Sequence, residues 1–249
     1  MMRSAESQPG IYGKLPSNGD FVTRRLPAAF RDPWDQWLQE AVSDSRDQLG
    51  ERWLEAYLTS PIWRFALSGG LAGQQTWAGL LMPSVDRVGR YFPLTLACPL
   101  PPWSNPIGLM TQSGSWYGKA ENLLRACLEE ELDLSSFDRR VAELGAPIAA
   151  PPPSPPHGGP WTVRRLPLPE DLNLVCPELL NQTLGELFFA FSLWWSRGSD
   201  LVEPSLLVCQ GLPPSGGFAA MLAGERERSH WNEVAPPRGG DPVPGRKPA

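Results

Sequence analysis

Apolar residues recur with a helical period in FRDPWDQWLQEAVSDSRDQL, where Trp34, Trp37, Leu38, Ala41 and Val42 fall at i, i+3, i+4, i+7 and i+8 on one face. Asp32 is the expected N-cap and Pro33 the first helical residue. ERWLEAYL continues as a shorter helix with Trp53, Leu54, Tyr57 and Leu58 on its apolar side, and Pro61 ends the helical part. The pattern then changes to strand-like runs: IWRFAL (62–67), TWAGLLM (76–82) and YFPLTLACPL (91–100). The turn SGGLAG and the loop PSVDRVGR between them are too short for a crossover helix, so the runs should pair as an antiparallel meander. Within AGLLM and LTLAC both faces are apolar, which predicts a central sheet covered on both sides.

Further along, SWYGKAENLLRACLEEELDL carries Ala120, Leu123, Leu124, Cys127, Leu128 and Leu132 on one helical stripe. SSFDRRVAELGA reads as a second helix, capped by Ser135 or Ser136 and stopped at Gly145. WTVRRLPL (161–168) has the composition of an edge strand. TLGELFFAFSLWWSRG opens with a capping box, Thr183 with Glu186, and closes at Gly198, which predicts a helix of about 13 residues. PSLLVCQ follows as a strand and GFAAMLAG as a short helix ended by Gly224. Together these elements predict a layered α/β fold, with a mostly antiparallel central sheet and helices on both faces. No internal repeat with a fixed period is visible.

Near the start, GIYGKLPSNGDF imitates a phosphate-binding loop, but a G-x-x-x-x-G-K-[ST] motif needs four residues between its glycines and a hydroxyl after its lysine. Here two residues separate Gly10 from Gly13, Leu15 follows Lys14, and Pro16 prevents a helix from starting at the lysine. A hairpin fits better: strand GIYGKL, turn PSNG with positive φ at Asn18-Gly19, and strand DFVTRRL. Gly10 and Gly13 would then allow close backbone approach.

Composition narrows the function classes. The chain has 249 residues, 41% of them apolar, and a net charge of −5 with scattered basic residues, which argues against nucleic acid as a partner. Its four cysteines, Cys98, Cys127, Cys176 and Cys209, stand singly in apolar settings, too far apart for a zinc knuckle or a C-x-x-C pair. They read as reduced core thiols, which suggests the cytosol. MMRSAESQPG lacks an apolar signal region, and no apolar run reaches the roughly 18 to 20 residues of a membrane span. Prolines concentrate in PIAAPPPSPPHGGP (147–160) and in APPRGGDPVPGRKPA near the tail, where linker or disorder is expected.

Little in the chain suggests catalysis. The two histidines, His157 in the proline-rich stretch and His230 in ERERSHWNE, are poorly placed to serve a nucleophile, and no G-x-S-x-G occurs. Glu129, Glu130 and Glu131 point around a helix, as on a solvated face. No residue is therefore assigned as catalytic, none as a metal ligand, and no cofactor is expected. Carboxylate pairs of the glycosidase type meet in space and leave no linear trace. In VDRVGRYFPLTL, Arg87 and Arg90 offer guanidinium forks suited to a carboxylate or phosphate, while Asp86 with an arginine would brace the loop. LFFAFSLWW is apolar all round: Phe188 and Phe191 read as core, and Trp195 as either core or a binding anchor.

Four separated motifs, GIYGKLPSNGDFVTRRLP, DPWDQWLQ, DRVGRYFPLTL and SLWWSRGS with PSLLVCQGLP, together resemble the TagF (ImpM) family associated with bacterial type VI secretion. The resemblance runs in order from about residue 9 to about residue 224 and omits the tail 225–249. It implies a single cytosolic α/β domain, interrupted by the 147–160 linker, that acts after translation as a non-enzymatic negative regulator. The implied partner is the apparatus's forkhead-associated scaffold protein or another component. Some members look fused to a phosphatase domain; this chain has none. Lys14, Asp20, Arg87, Arg90, Trp195 and Gly198 stand at the shared motifs, and the first five are the candidate partner-binding residues. The alternatives are a hydrolase or small-ligand-binding domain with a pocket near Arg87 and Arg90, and a structural subunit of the apparatus.

Overall fold

Seven strands form one sheet in the computed structural model, which describes residues 7–129, 132–148, 175–224 and 231–232. They are β1 (Gly10–Gly13), β2 (Val22–Arg24), β3 (Trp63–Leu67), β4 (Thr76–Met82), β5 (Leu94–Leu100), β6 (Phe191–Ser196) and β7 (Ser205–Gln210). Their order is β2-β1-β5-β4-β3-β6-β7, and every neighbouring pair is antiparallel. The expected meander is β3-β4-β5, and all but one of its strand residues are buried, as sequences apolar on both faces require.

Helices cover both faces. On one lie α1 (Ala28–Leu49), α2 (Trp53–Thr59) and α7 (Phe218–Ala223), over a core rich in aromatic rings from Phe30, Trp34, Phe65, Trp77 and Trp194. Burying each such ring contributes roughly 2 to 3 kcal/mol. Its indoles are paired inside that core: Trp34 donates to Thr95 Oγ1 at 2.8 Å, Trp63 to the Met221 carbonyl at 3.0 Å and Trp77 to the Ala72 carbonyl at 2.9 Å. On the other face α4 (Gly114–Glu129) and α5 (Leu134–Glu143) pack Tyr117, Leu124, Phe137 and Val141 against Ile11, Leu80 and Leu96. Beside them α3 (Pro106–Gln112) and α6 (Val175–Leu187) meet β6 through Ile107, Leu184, Phe191 and Leu193.

Several local expectations are corrected. The run TLGELFFAFSLWWSRG is not one helix: α6 starts at Val175 and ends at Leu187, and Phe191–Ser196 is a strand between β3 and β7. Thr183 lies inside α6, donating to the Leu179 carbonyl at 2.9 Å, and does not cap it. A central strand needs apolar side chains on both faces, and Trp194 serves one core while Leu193 serves the other. Helix α1 begins at Ala28, because buried Phe30 and its neighbour Arg31 close the first turn on the Pro27 carbonyl at 3.0 and 2.9 Å. Asp32 and Pro33 therefore lie on its exposed side.

The cap of α5 is Asp133, which accepts from the Ser135 and Ser136 amides at 2.9 and 3.0 Å, so neither serine caps. The hairpin turn is centred on Pro16 and Ser17, closed by the Asn18 amide on the Leu15 carbonyl at 2.9 Å; neither Asn18 nor Gly19 has positive φ. Leu54, Leu58 and Leu128, expected on apolar stripes, are exposed. Cys98 and Cys127 are buried and their thiols pushed up to about 12 by burial; Cys209 is half-buried, but Cys176 is exposed and is not a core thiol. WTVRRLPL, His157, His230, the side chains of Glu129, Glu130 and Glu131, most of the 147–160 stretch and most of the tail lie outside the described residues.

Candidate partner-binding surface

The β4–β5 loop is built around one carboxylate. Asp86 is 3% exposed. Its Oδ1 accepts from the Val88 and Arg90 amides at 3.0 and 2.9 Å, and its Oδ2 from Arg90 Nε at 2.7 Å and from Lys14 Nζ. Four donors occupy the acceptor capacity of the group. Burial by itself would push this carboxyl up, but the Lys14, Arg90 and Val88 donors outweigh it and hold Asp86 well below the usual carboxylate range. The Gly89 amide closes the turn on the Asp86 carbonyl at 3.0 Å with φ +86, a region glycine enters without a steric penalty.

The hairpin loop locks onto this turn from the side. The Arg87 amide donates to the Asn18 carbonyl at 3.1 Å, and the Arg90 guanidinium donates to the Gly19 carbonyl. Ser84 Oγ donates to the Lys14 carbonyl at 2.8 Å, while the Tyr57 hydroxyl bridges the Ser84 backbone. At Gly13, with φ +129, a Cβ would overlap the Pro93 carbonyl oxygen, so the close backbone approach read from the sequence is present there.

The candidate residues thus occupy different positions. Lys14 is buried at 4% exposure, with its ammonium on Asp86 and over the Phe21 ring at 4.6 Å. Arg90 is half exposed and braces the loop as well as facing solvent. Asp20 projects into solvent, 4.0 Å from Arg90. Arg87 is exposed at the loop tip, next to Val88 at 65% exposure and close to Gly19, while half-exposed Phe21 follows on the same hairpin. The result is an outward surface of guanidinium and apolar groups on a rigid base.

Trp195 is not part of that cluster. It is half-buried on β6, with its ring against Tyr117 at 4.8 Å, at the same end of the sheet but four strands from β1, or about 19 Å at the usual inter-strand spacing. Gly198 follows it at φ +80 in a turn closed by the Ser199 amide on the Val202 carbonyl at 2.8 Å, a structural position.

Two features left no linear trace. Arg64 on β3 is buried and donates twice to Glu121 on α4, at 2.6 and 3.1 Å, while Arg125 holds the other carboxylate oxygen at 3.0 Å. Burial opposes ionisation of Glu121, yet the two arginines lower its pKa overall. At the opposite end of the sheet, Phe189 and Trp103 are exposed beside a cleft of about 410 Å³. Among the described residues no group of three His, Cys, Asp or Glu side chains is placed to hold a metal, and no helix is long and apolar enough to cross a membrane.

The chain is similar to known proteins in sequence and in structure. Residues 10–144 match the family described as the TagF N-terminal domain, type VI secretion system-associated. The crystal structure of PA0076 from Pseudomonas aeruginosa PAO1 is similar at 40% identity and a TM-score of 0.78, covering 94% of this chain and 100% of that one. No curated protein matches the chain.

Proposed function

Because the chain belongs to the TagF family of type VI secretion-associated proteins, we propose that it restrains the secretion apparatus after translation, by binding one of its cytoplasmic components. The forkhead-associated scaffold protein is the partner we favour. The observation that carries this reading is the exposed Arg87 on a loop whose every bend is fixed through Asp86. A guanidinium held on a pre-organised loop loses little entropy on engaging an acidic or phosphorylated group, and Val88 and Phe21 supply apolar area beside it. Arg90 and Asp20 complete the contact set, Lys14 acts from beneath by holding Asp86, and Trp195 forms a separate contact at the same end of the sheet. The Asp86 carboxylate is already held by both Lys14 and Arg90, which favours binding over hydrolysis as the task of this corner.

Arg87→Glu is the cleanest test, since the Arg87 side chain is exposed and only its backbone amide braces the loop. In pull-downs from a secretion-competent lysate, read by mass spectrometry, this variant should capture at least about tenfold less of the scaffold protein. Its circular dichroism and melting should stay unchanged. Undiminished capture by Arg87→Glu and by the Arg87→Glu, Arg90→Glu double variant would remove this surface from the interface.

A further inference from the structure

The cleft at the far end of the sheet lies where β3 ends, β4 and β6 begin, and α3 meets α6. Its lining differs from the rest of the molecule in two respects. None of its side chains is charged. Ser68 Oγ accepts from the Phe191 amide and Thr76 Oγ1 donates to the Pro102 carbonyl, but other polar groups of the lining are uncommitted. Ser104 is 3% exposed, yet its hydroxyl has no hydrogen-bond partner among the described residues. The side-chain amides of Gln74 and Asn181 and the indole N–H of Trp103 likewise have no acceptor among the described residues. By contrast, the buried indoles of Trp34, Trp37, Trp53, Trp63, Trp77, Trp116 and Trp194 all donate to protein acceptors.

Trp103 at 53% exposure and Phe189 at 97% add two aromatic faces to the same cleft. A buried hydroxyl without a partner costs stability, and so large an exposed ring gains nothing by burial in the free protein. Both are offset if a ligand supplies acceptors and apolar surface. A charged ligand group would find no counter-charge in the lining, so the occupant must be neutral where it is buried. Extended proline-rich peptide meets each requirement: its rings stack on aromatic faces, its carbonyls form no internal hydrogen bonds, and it is already ordered before binding.

We propose that this cleft is a second docking site, which takes an uncharged, proline-rich segment of a partner protein between Trp103 and Phe189. Trp103 Nε1, Gln74 and Asn181 donate to its carbonyls. The site is separated from the Arg87 surface by the length of the sheet.

The test is fluorescence anisotropy of a labelled deca-proline peptide titrated with the full chain. Saturable binding is expected, weakened at least about tenfold by Trp103→Ala and by Phe189→Ala. Melting should not change in either variant, and Arg87→Glu should bind as the unaltered protein does. Gln74→Ala together with Asn181→Ala should weaken binding without touching either ring. Absence of saturable binding at millimolar protein, or binding indifferent to Trp103→Ala and Phe189→Ala, would overturn the proposal. Binding seen only after residues 150–156 are deleted would assign the cleft to the chain's own APPPSPP segment, and would equally overturn assignment to a partner.

Discussion

At one end of the sheet the buried charges of Lys14 and Asp86 are matched to each other and to the loop backbone, whereas at the other the α3–α6 cleft holds the Ser104 hydroxyl, the Gln74 and Asn181 amides and the Trp103 indole without a partner among the described residues. The two ends spend their polar groups differently. In the first, the hydrogen bonds turn inward and make a stiff platform, so that what faces out is a guanidinium on a fixed base. In the second, the side-chain donors face a cavity, and the stabilisation they can give waits for a ligand. Rigidity and recognition are separate tasks, and a buried polar residue can serve either one.

Removing the carboxylate should expose this contrast most strongly. Asp86→Ala leaves the buried Lys14 ammonium uncompensated and frees the loop amides, and is expected to lower the melting temperature by about 10 °C. A change within about 2 °C would mean that the platform is not held as described. Acid gives a gentler version of the same break. Because the folded Asp86 pKa is depressed, its contribution is fully present above the unfolded carboxylate value, about 3.9, and is lost as pH falls through that value towards the folded one. Melting of the unaltered protein should therefore fall below about pH 4, with a flatter acid limb in Asp86→Asn.

Smaller again are the stability effects of the surface variants. Arg87→Glu and Trp103→Ala should each leave melting within about 2 °C while weakening different binding activities, and a variant that weakened both would join the two ends into one site. The smallest effect is expected at Cys176, exposed in the first turn of α6. Cys176→Ser should not change stability, yet it should remove the one thiol that reacts quickly with Ellman's reagent in the native protein. Burial of Cys98, Cys127 and Cys209 keeps those thiols protonated and slow.

The meander and the paired faces were legible because short connections leave antiparallel pairing as the local solution, and because TWAGLLM and LTLAC are apolar on both sides. LFFAFSLWW failed for the same reason that the others succeeded. A run apolar in every direction carries no period, and only its neighbours decide whether it becomes a buried helix or a central strand. At the candidate surface, the bracing of Asp86 by an arginine could be read from their spacing in one loop. That Lys14 reaches the same carboxylate across 72 positions could not. Nor did the chain mark Phe189 as exposed between partly buried Phe188 and buried Ala190, since exposure depends on which elements stop short of it.

The position of β6 has a consequence for how the chain is completed. The Phe191 amide bonds Ser68 Oγ across 123 positions, so strand β3 acquires its second neighbour long after the other has formed. Until then the growing protein carries a strand with one unpaired edge, Trp63–Leu67, buried on both faces in the finished fold. Such an edge is a template for pairing with another chain. The stretch 10–144 that carries the family match is thus an open sheet awaiting closure, and the β6–β7 hairpin is its seal as well as one wall of the cleft. Synthesis from the N-terminus leaves this molecule vulnerable to self-association until its last quarter has been made.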